Sequence, residues 1–101
     1  MSRLEPRPGY EVLARILDDA LEQAQTGKGA KRHAEPGQEW TEQVWHQISC
    51  ELGHGFPAGQ VAKKLAEAWR LPMPQRRWEL LGVINYAAHL VELSDEEDRP
   101  V

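Results

Sequence analysis

The residues best suited to chemistry lie between positions 26 and 33, Thr-Gly-Lys-Gly-Ala-Lys-Arg-His. Glycines 27 and 29 can turn backbone N–H groups toward a ligand. Lys28, Lys31, Arg32 and His33 can surround the oxygens of a phosphate, the combination that anion sites use. The Gly-x4-Gly-Lys-Ser/Thr spacing is missing and no strand pattern precedes the segment, which excludes a P-loop and ATP hydrolysis by that machinery. A second basic island follows Gly59: Gln60, Lys63 and Lys64 lie within about one helical turn and can converge on one group, with Arg70, Arg76 and Arg77 further on. If the two islands meet in the fold they form a single anion pocket. The plainer alternative is that Gly27 caps a helix while both sets of cations are solvated and balance acidic neighbours.

Paired carboxylates point to another chemistry. Glu39-Trp-Thr-Glu42 and Glu92-Leu-Ser-Asp95 have the spacing with which all-α nucleoside-triphosphate pyrophosphatases of the MazG type hold Mg²⁺. The first pair sits at a helix start and the second, about 50 residues on, beside an acidic tail, so the expected reading is a pair of solvated faces. His33, His46, His54 and His89 show no His-x3-His or Cys/His ligand spacing, and one cysteine, Cys50, builds neither a zinc site nor a disulfide. His46 and Cys50 are four apart on one helix and can touch. Nothing in the sequence marks the third group that would orient them for nucleophilic catalysis, so catalysis by that pair is not expected.

These residues need helices to hold them. Val12, Leu13, Ile16, Leu17, Ala20, Leu21 and Ala24 recur at three/four spacing, which predicts a half-buried helix over residues 10–25, stopped by Gly27. A loop of about a dozen Gly-rich polar residues follows. A second helix is expected over 39–52 with Gly53 as its stop, a third from Pro57 to about Arg70, and a fourth over 75–93 after Leu71-Pro72-Met73-Pro74. The fourth carries apolar residues on more than one face, which makes it the central helix or an oligomer contact. Its polar pair Asn85-Tyr86 must find hydrogen-bond partners inside the bundle. Trp40, Trp45, Trp69 and Trp78 are expected in the core. Residues 1–9 read as an arm and 94–101 as a disordered acidic tail. No run alternates with period two, so the fold expected is all-α, a small bundle of about four helices with a long basic loop after the first.

At 101 residues and 11.5 kDa the chain fits one domain, and 41% hydrophobic residues suffice for a small core. The net charge is −4, yet residues 27–33 carry +3 and 53–77 carry +4, against −3 over 10–26, −4 over 34–52 and −5 over 78–101. An acidic chain of this kind repels a phosphate backbone over most of its surface, so general nucleic-acid binding is not expected. No apolar run approaches the roughly 20 residues of a membrane span, and the N-terminus lacks the apolar stretch of a signal peptide. A cytoplasmic protein without a cofactor is expected.

Taken in order, Gly27-Lys28-Gly29 with Arg32-His33-Ala34, Trp40 with Gln43, Gly55-Phe56 with Gly59-Gln60, Lys63-Lys64, and Glu79-Leu-Leu-Gly-Val-Ile-Asn-Tyr86 form a pattern over residues 10–93. It resembles a family of small proteins of tailed bacteriophages and prophages with the motifs KGKERHA, PFEDQP, GFxxGQAxKK and ELLGAINY. This chain departs from it at Lys31, where the family pattern has Glu, at Trp40 for Phe and at Val44 for Pro. The resemblance implies phage origin and no particular activity. Phage accessory proteins of this size commonly act by binding, an analogy and not a derivation. The expected function is therefore non-enzymatic binding by a homo-oligomer. Its partner would be a small phosphorylated or nucleotide ligand held by Lys28, Lys31, Arg32, His33, Gln60, Lys63 and Lys64, or a host protein docked on that surface. A metal-dependent nucleotide pyrophosphohydrolase and a structural or assembly subunit are the alternatives.

Overall fold

Glycines and prolines set the element boundaries. The computed structural model describes residues 5–26 and 39–98, which contain four α-helices and no strand. Helix α1 spans Glu11–Thr26; a single 3₁₀ turn, Trp40–Glu42, leads into α2, Val44–Leu52; α3 spans Gly55–Ala68 and α4 spans Gln75–Asp98. The fold is an all-α bundle, as expected. Gly53, at φ 78°, ends α2 in the left-handed region that a side chain disfavours, the stop its position implied.

Three boundaries differ from expectation. The second helix begins at Val44 and not at residue 39, because Gln43 is extended and separates the 3₁₀ turn from α2. The Trp45 indole N–H donates to the Trp40 carbonyl at 2.9 Å and ties the two pieces together. The third helix starts two residues before Pro57; a proline is tolerated in the first turn, where its missing N–H has no intrahelical acceptor. The fourth helix runs to Asp98, so residues 94–98 are helical and not the expected tail. A carboxylate from that extension, Glu96 Oε1, lies 2.7 Å from His46 Nε2 on α2.

Helix α4 is the spine, and it uses three of its sides. Leu81 and Asn85 face α1: the Asn85 amide donates to the Ala20 carbonyl and to Gln23 Oε1, both at 3.0 Å, which supplies the partners its polarity demanded. Glu79, Gly82 and Tyr86 face α3. The Lys64 stem crosses Gly82 so closely that an added Cβ would lie 3.2 Å from Cδ and Cε, and the ammonium donates to Glu79 at 2.8 Å. His89 faces α2. Ala20, Pro57, Ala68 and Leu81 are buried at these seams. Small residues at the crossings let the helices approach, while burial of a leucine such as Leu81 contributes about 1.5–3 kcal/mol.

The core is small, and two expected members lie outside it. Trp69 and Trp78 are 66% and 46% exposed, whereas Trp45 is buried and Trp40 half-buried. Helix α1 is the larger departure: Tyr10, Val12, Leu13, Leu17 and Leu21 are all exposed, and only Ala20 is fully buried.

Candidate functional site

Of the residues expected to hold an anion, Lys28, Lys31, Arg32 and His33 lie outside the described residues. Gln60, Lys63 and Lys64 share α3 but not one role. Lys63 is exposed and Gln60 half-buried. Lys64 is engaged inside the fold: besides its ion pair with Glu79, its ammonium lies 5.9 Å from the centroid of the Tyr86 ring. A cation already neutralised and half-buried is a poor phosphate ligand, because an incoming anion must displace Glu79. The more distal arginines are also partly occupied. Arg77 donates to Asp19 at 2.6 Å and so clips α4 to α1, while Arg76 lies over the Trp69 ring at 5.0 Å and donates to the Leu71 carbonyl. Arg70 and Lys63 pair with no described residue and are exposed.

The histidines are brought into arrangements that their spacing did not reveal. His89 is buried flat against Trp45, ring centroids 3.7 Å apart and planes 4° from parallel, with Trp40 tilted at 4.9 Å and Tyr86 edge-on at 5.0 Å. Burial in this aromatic box pushes its pKa down from 6.5 to about 4, so the imidazole is neutral at pH 7. Its Nδ1 has no hydrogen-bond partner among the described residues, and neither has Ser49 Oγ, one turn beyond Trp45 on α2. The box packs α2 onto α4 by ring stacking, beside the His46–Glu96 contact.

Glu96, from the helical extension, supplies the third group beside His46 and Cys50. His46 Nε2 meets Glu96 Oε1 at 2.7 Å while its Nδ1 lies 3.7 Å from Cys50 Sγ. The order cysteine, histidine, carboxylate is that of a nucleophilic site. The setting is not. Cys50 is exposed in the last turn of α2, at the carbonyl end of the helix, and covalent catalysis needs a sulfur in a cleft facing positioned donors. No signal in the sequence could have paired residues 46 and 96, since their contact spans 50 positions and depends on α4 continuing to Asp98.

The feature that stands out as a surface is the outer stripe of α1. Tyr10, Leu13, Leu17 and Leu21 follow one another at three/four spacing and are 41–59% exposed, on the side of the helix next to the Ala20 seam. Asp18 and Glu11 flank the stripe. Other exposed apolar residues are Leu65, Ala62 and Ala66 on α3 and, beyond its end at Ala68, Trp69 and Met73, with the exposed cations Lys63 and Arg70 nearby in the chain.

No family model, curated protein or solved structure matches this chain. Among the described residues, no group of three His, Cys, Asp or Glu side chains is placed to hold a metal ion, so Glu39, Glu42, Glu92 and Asp95 do not make up such a group. No helix among them is long and apolar enough to cross a membrane.

Proposed function

We propose that this is a non-enzymatic binding protein of phage type whose working surface is the outer stripe of α1 and whose partner is a protein. The supporting observation is the run of Leu13, Leu17 and Leu21 along α1 with Tyr10 immediately before it, four large apolar side chains all exposed. Scattered exposed leucines are ordinary, but a contiguous helical stripe beside a packed seam is the form in which helices bind other helices or apolar grooves. The internal pairing of Lys64 weighs against a small anion on α3. Among the described residues no three of the candidate carboxylates form a group that could hold a metal ion, which weighs against a two-pair Mg²⁺ centre of the pyrophosphatase kind.

A photo-crosslinking side chain placed at Leu17 in producing cells should form covalent adducts with protein, while the same group at Glu22, on the polar side of α1, should form none. Adducts at neither position, together with a nucleotide-induced rise in melting temperature that Lys63→Ala abolishes, would replace this reading with anion binding.

A further inference from the structure

We propose that the partner covering the α1 stripe is an amphipathic helix of another protein, with lysine or arginine along one flank of its apolar face. This rests on the reading of the α1 stripe as a protein-binding surface and goes further by naming what binds there.

The two borders of the stripe differ. At about 100° per residue, Ala20 and half-buried Ile16 lie on one side of the line of Leu13, Leu17 and Leu21. That side is closed by α4, where the Ala20 carbonyl accepts from the Asn85 amide and, further round, Asp19 accepts from Arg77. Asp18 and Glu11 lie on the other side and are exposed. Neither is in a salt bridge among the described residues, and Glu11, which accepts the Gly9 N–H, keeps its charge. Arg15 and Glu22, one of each sign, lie still further round on the back of the helix and leave the sign of this flank unchanged. The open border is anionic.

That asymmetry selects among occupants. A second α1 laid antiparallel would set Asp18 and Glu11 against their own copies, like charge against like. Laid parallel, it would drive its flank into the border that α4 already fills. An anionic membrane is repelled by the same two carboxylates, since helices that lie on such surfaces carry cations beside their apolar face. A foreign helix with cations on one flank suits both parts of the surface: its apolar face covers the leucines and its cations meet Asp18 and Glu11.

Shape and area define the partner further. Leu13, Leu17 and Leu21 form a ridge of residues four apart, which packs into the grooves between the side-chain rows of another helix. An extended strand would need backbone hydrogen bonds, and the peptide groups of α1 are already paired within the helix. From Tyr10 to Leu21 the stripe is roughly 16 Å long, about three turns, and its two flanking carboxylates are seven residues apart, so the matching cations recur at that interval. From their exposed fractions the four apolar side chains offer roughly 400 Å², or roughly 800 Å² with an equal share from the partner, below the roughly 1,200 Å² of a stable complex. The contact is therefore transient, and its charged flank quickens the encounter.

Fluorescence anisotropy of two labelled, hydrocarbon-stapled peptides with the full chain tests this. Both peptides carry leucine at three/four spacing over three helical turns; one has lysines seven residues apart on one flank of that face, the other has glutamates there. The lysine peptide should bind at least tenfold more tightly than the glutamate peptide. Leu17→Glu should weaken it at least tenfold although the protein becomes more acidic, which separates docking from general charge attraction. Asp18→Lys should weaken the lysine peptide about fivefold and tighten the glutamate peptide by a similar factor, with helix content by circular dichroism unchanged in both variants. Equal binding of the two peptides would overturn the cationic partner. Binding of neither, with Leu17 still crosslinking to protein in producing cells, would overturn this inference and leave the protein-binding surface standing; binding of neither and no adduct at Leu17 would overturn both. A dimer in sedimentation equilibrium that Leu17→Glu dissociates, or phosphatidylglycerol vesicles that hold the wild type but not Leu17→Glu, would overturn it in favour of a second copy or a membrane.

Discussion

Helices α1 and α4 are written in opposite styles and behave in opposite ways. Helix α1 has its apolar residues on one broad side and a fully polar back, yet it buries only Ala20 outright. Helix α4 has no single apolar side, yet it touches each of the other three helices and buries Leu81, Gly82 and His89. The difference shows what periodicity reports. It says which side of a helix must leave water, and nothing about what covers that side. For α4 the cover is supplied within the chain. For α1 only the edge of the apolar side, Ala20 with half-buried Ile16 and Gln23, meets α4. The leucines beyond that edge are left for another surface.

The sharpest way to break this contrast is to remove the same group from both helices. Leu81→Ala should cost about 2–5 kcal/mol in urea denaturation, because a buried side chain leaves a cavity. Leu17→Ala, measured at a concentration low enough to keep the chain monomeric, should change stability by no more than about 0.5 kcal/mol. Equal losses would mean that the α1 stripe is already part of the core.

The side of α4 that faces α2 adds a pH dependence. His89 is buried and its folded pKa, about 4, lies below the unfolded value of 6.5, so the unfolded chain binds the proton first. The contribution is complete above pH 6.5 and is lost as pH falls toward 4, a change of roughly 3 kcal/mol. His89→Phe, which keeps the stack on Trp45, should flatten stability across that window. A wild-type profile already flat between pH 7 and 4 would refute the assignment.

A smaller effect belongs to the seam the two helices share. Asn85→Ala removes hydrogen bonds to Ala20 and Gln23 and leaves the Ala20 carbonyl without its side-chain donor, for an expected loss of about 1–2 kcal/mol. Smallest of all is the contrast between neighbouring lysines. Lys64→Met breaks a half-buried ion pair and should cost up to about 1 kcal/mol, whereas Lys63→Met should be nearly silent in the dilute monomer.

Much of the architecture was readable from local chemistry. Gly53 as a stop, the break at Leu71-Pro72-Met73-Pro74, the four helices and the need of Asn85 for internal partners all follow from properties of single residues or their near neighbours. What could not be read depends on distant pairing. That Lys64 and not Lys63 is drawn inward follows from the side of α3 that meets Gly82 and Glu79 on α4. The acidic stretch after Leu93 looked like a tail because its composition is polar, but the continuing helix carries Glu96 to His46 on α2. Trp69 and Trp78 read as core because tryptophan usually is; both lie near the helix ends around the 71–74 turn, where the bundle has no further layer to cover them. The candidate anion site was legible only as composition, and of its seven members Gln60, Lys63 and Lys64 are described.

The central claim, that the outer stripe of α1 is covered by protein in the working state, is met most directly by hydroxyl-radical footprinting read residue by residue at rising concentration of the lysine peptide. Labelling of Leu13, Leu17 and Leu21 should fall together as the concentration rises, while Val91, an exposed apolar residue on α4, stays constant. Labelling of the three leucines that remains level with Val91 at every concentration, and in the lysate of producing cells, would contradict the account.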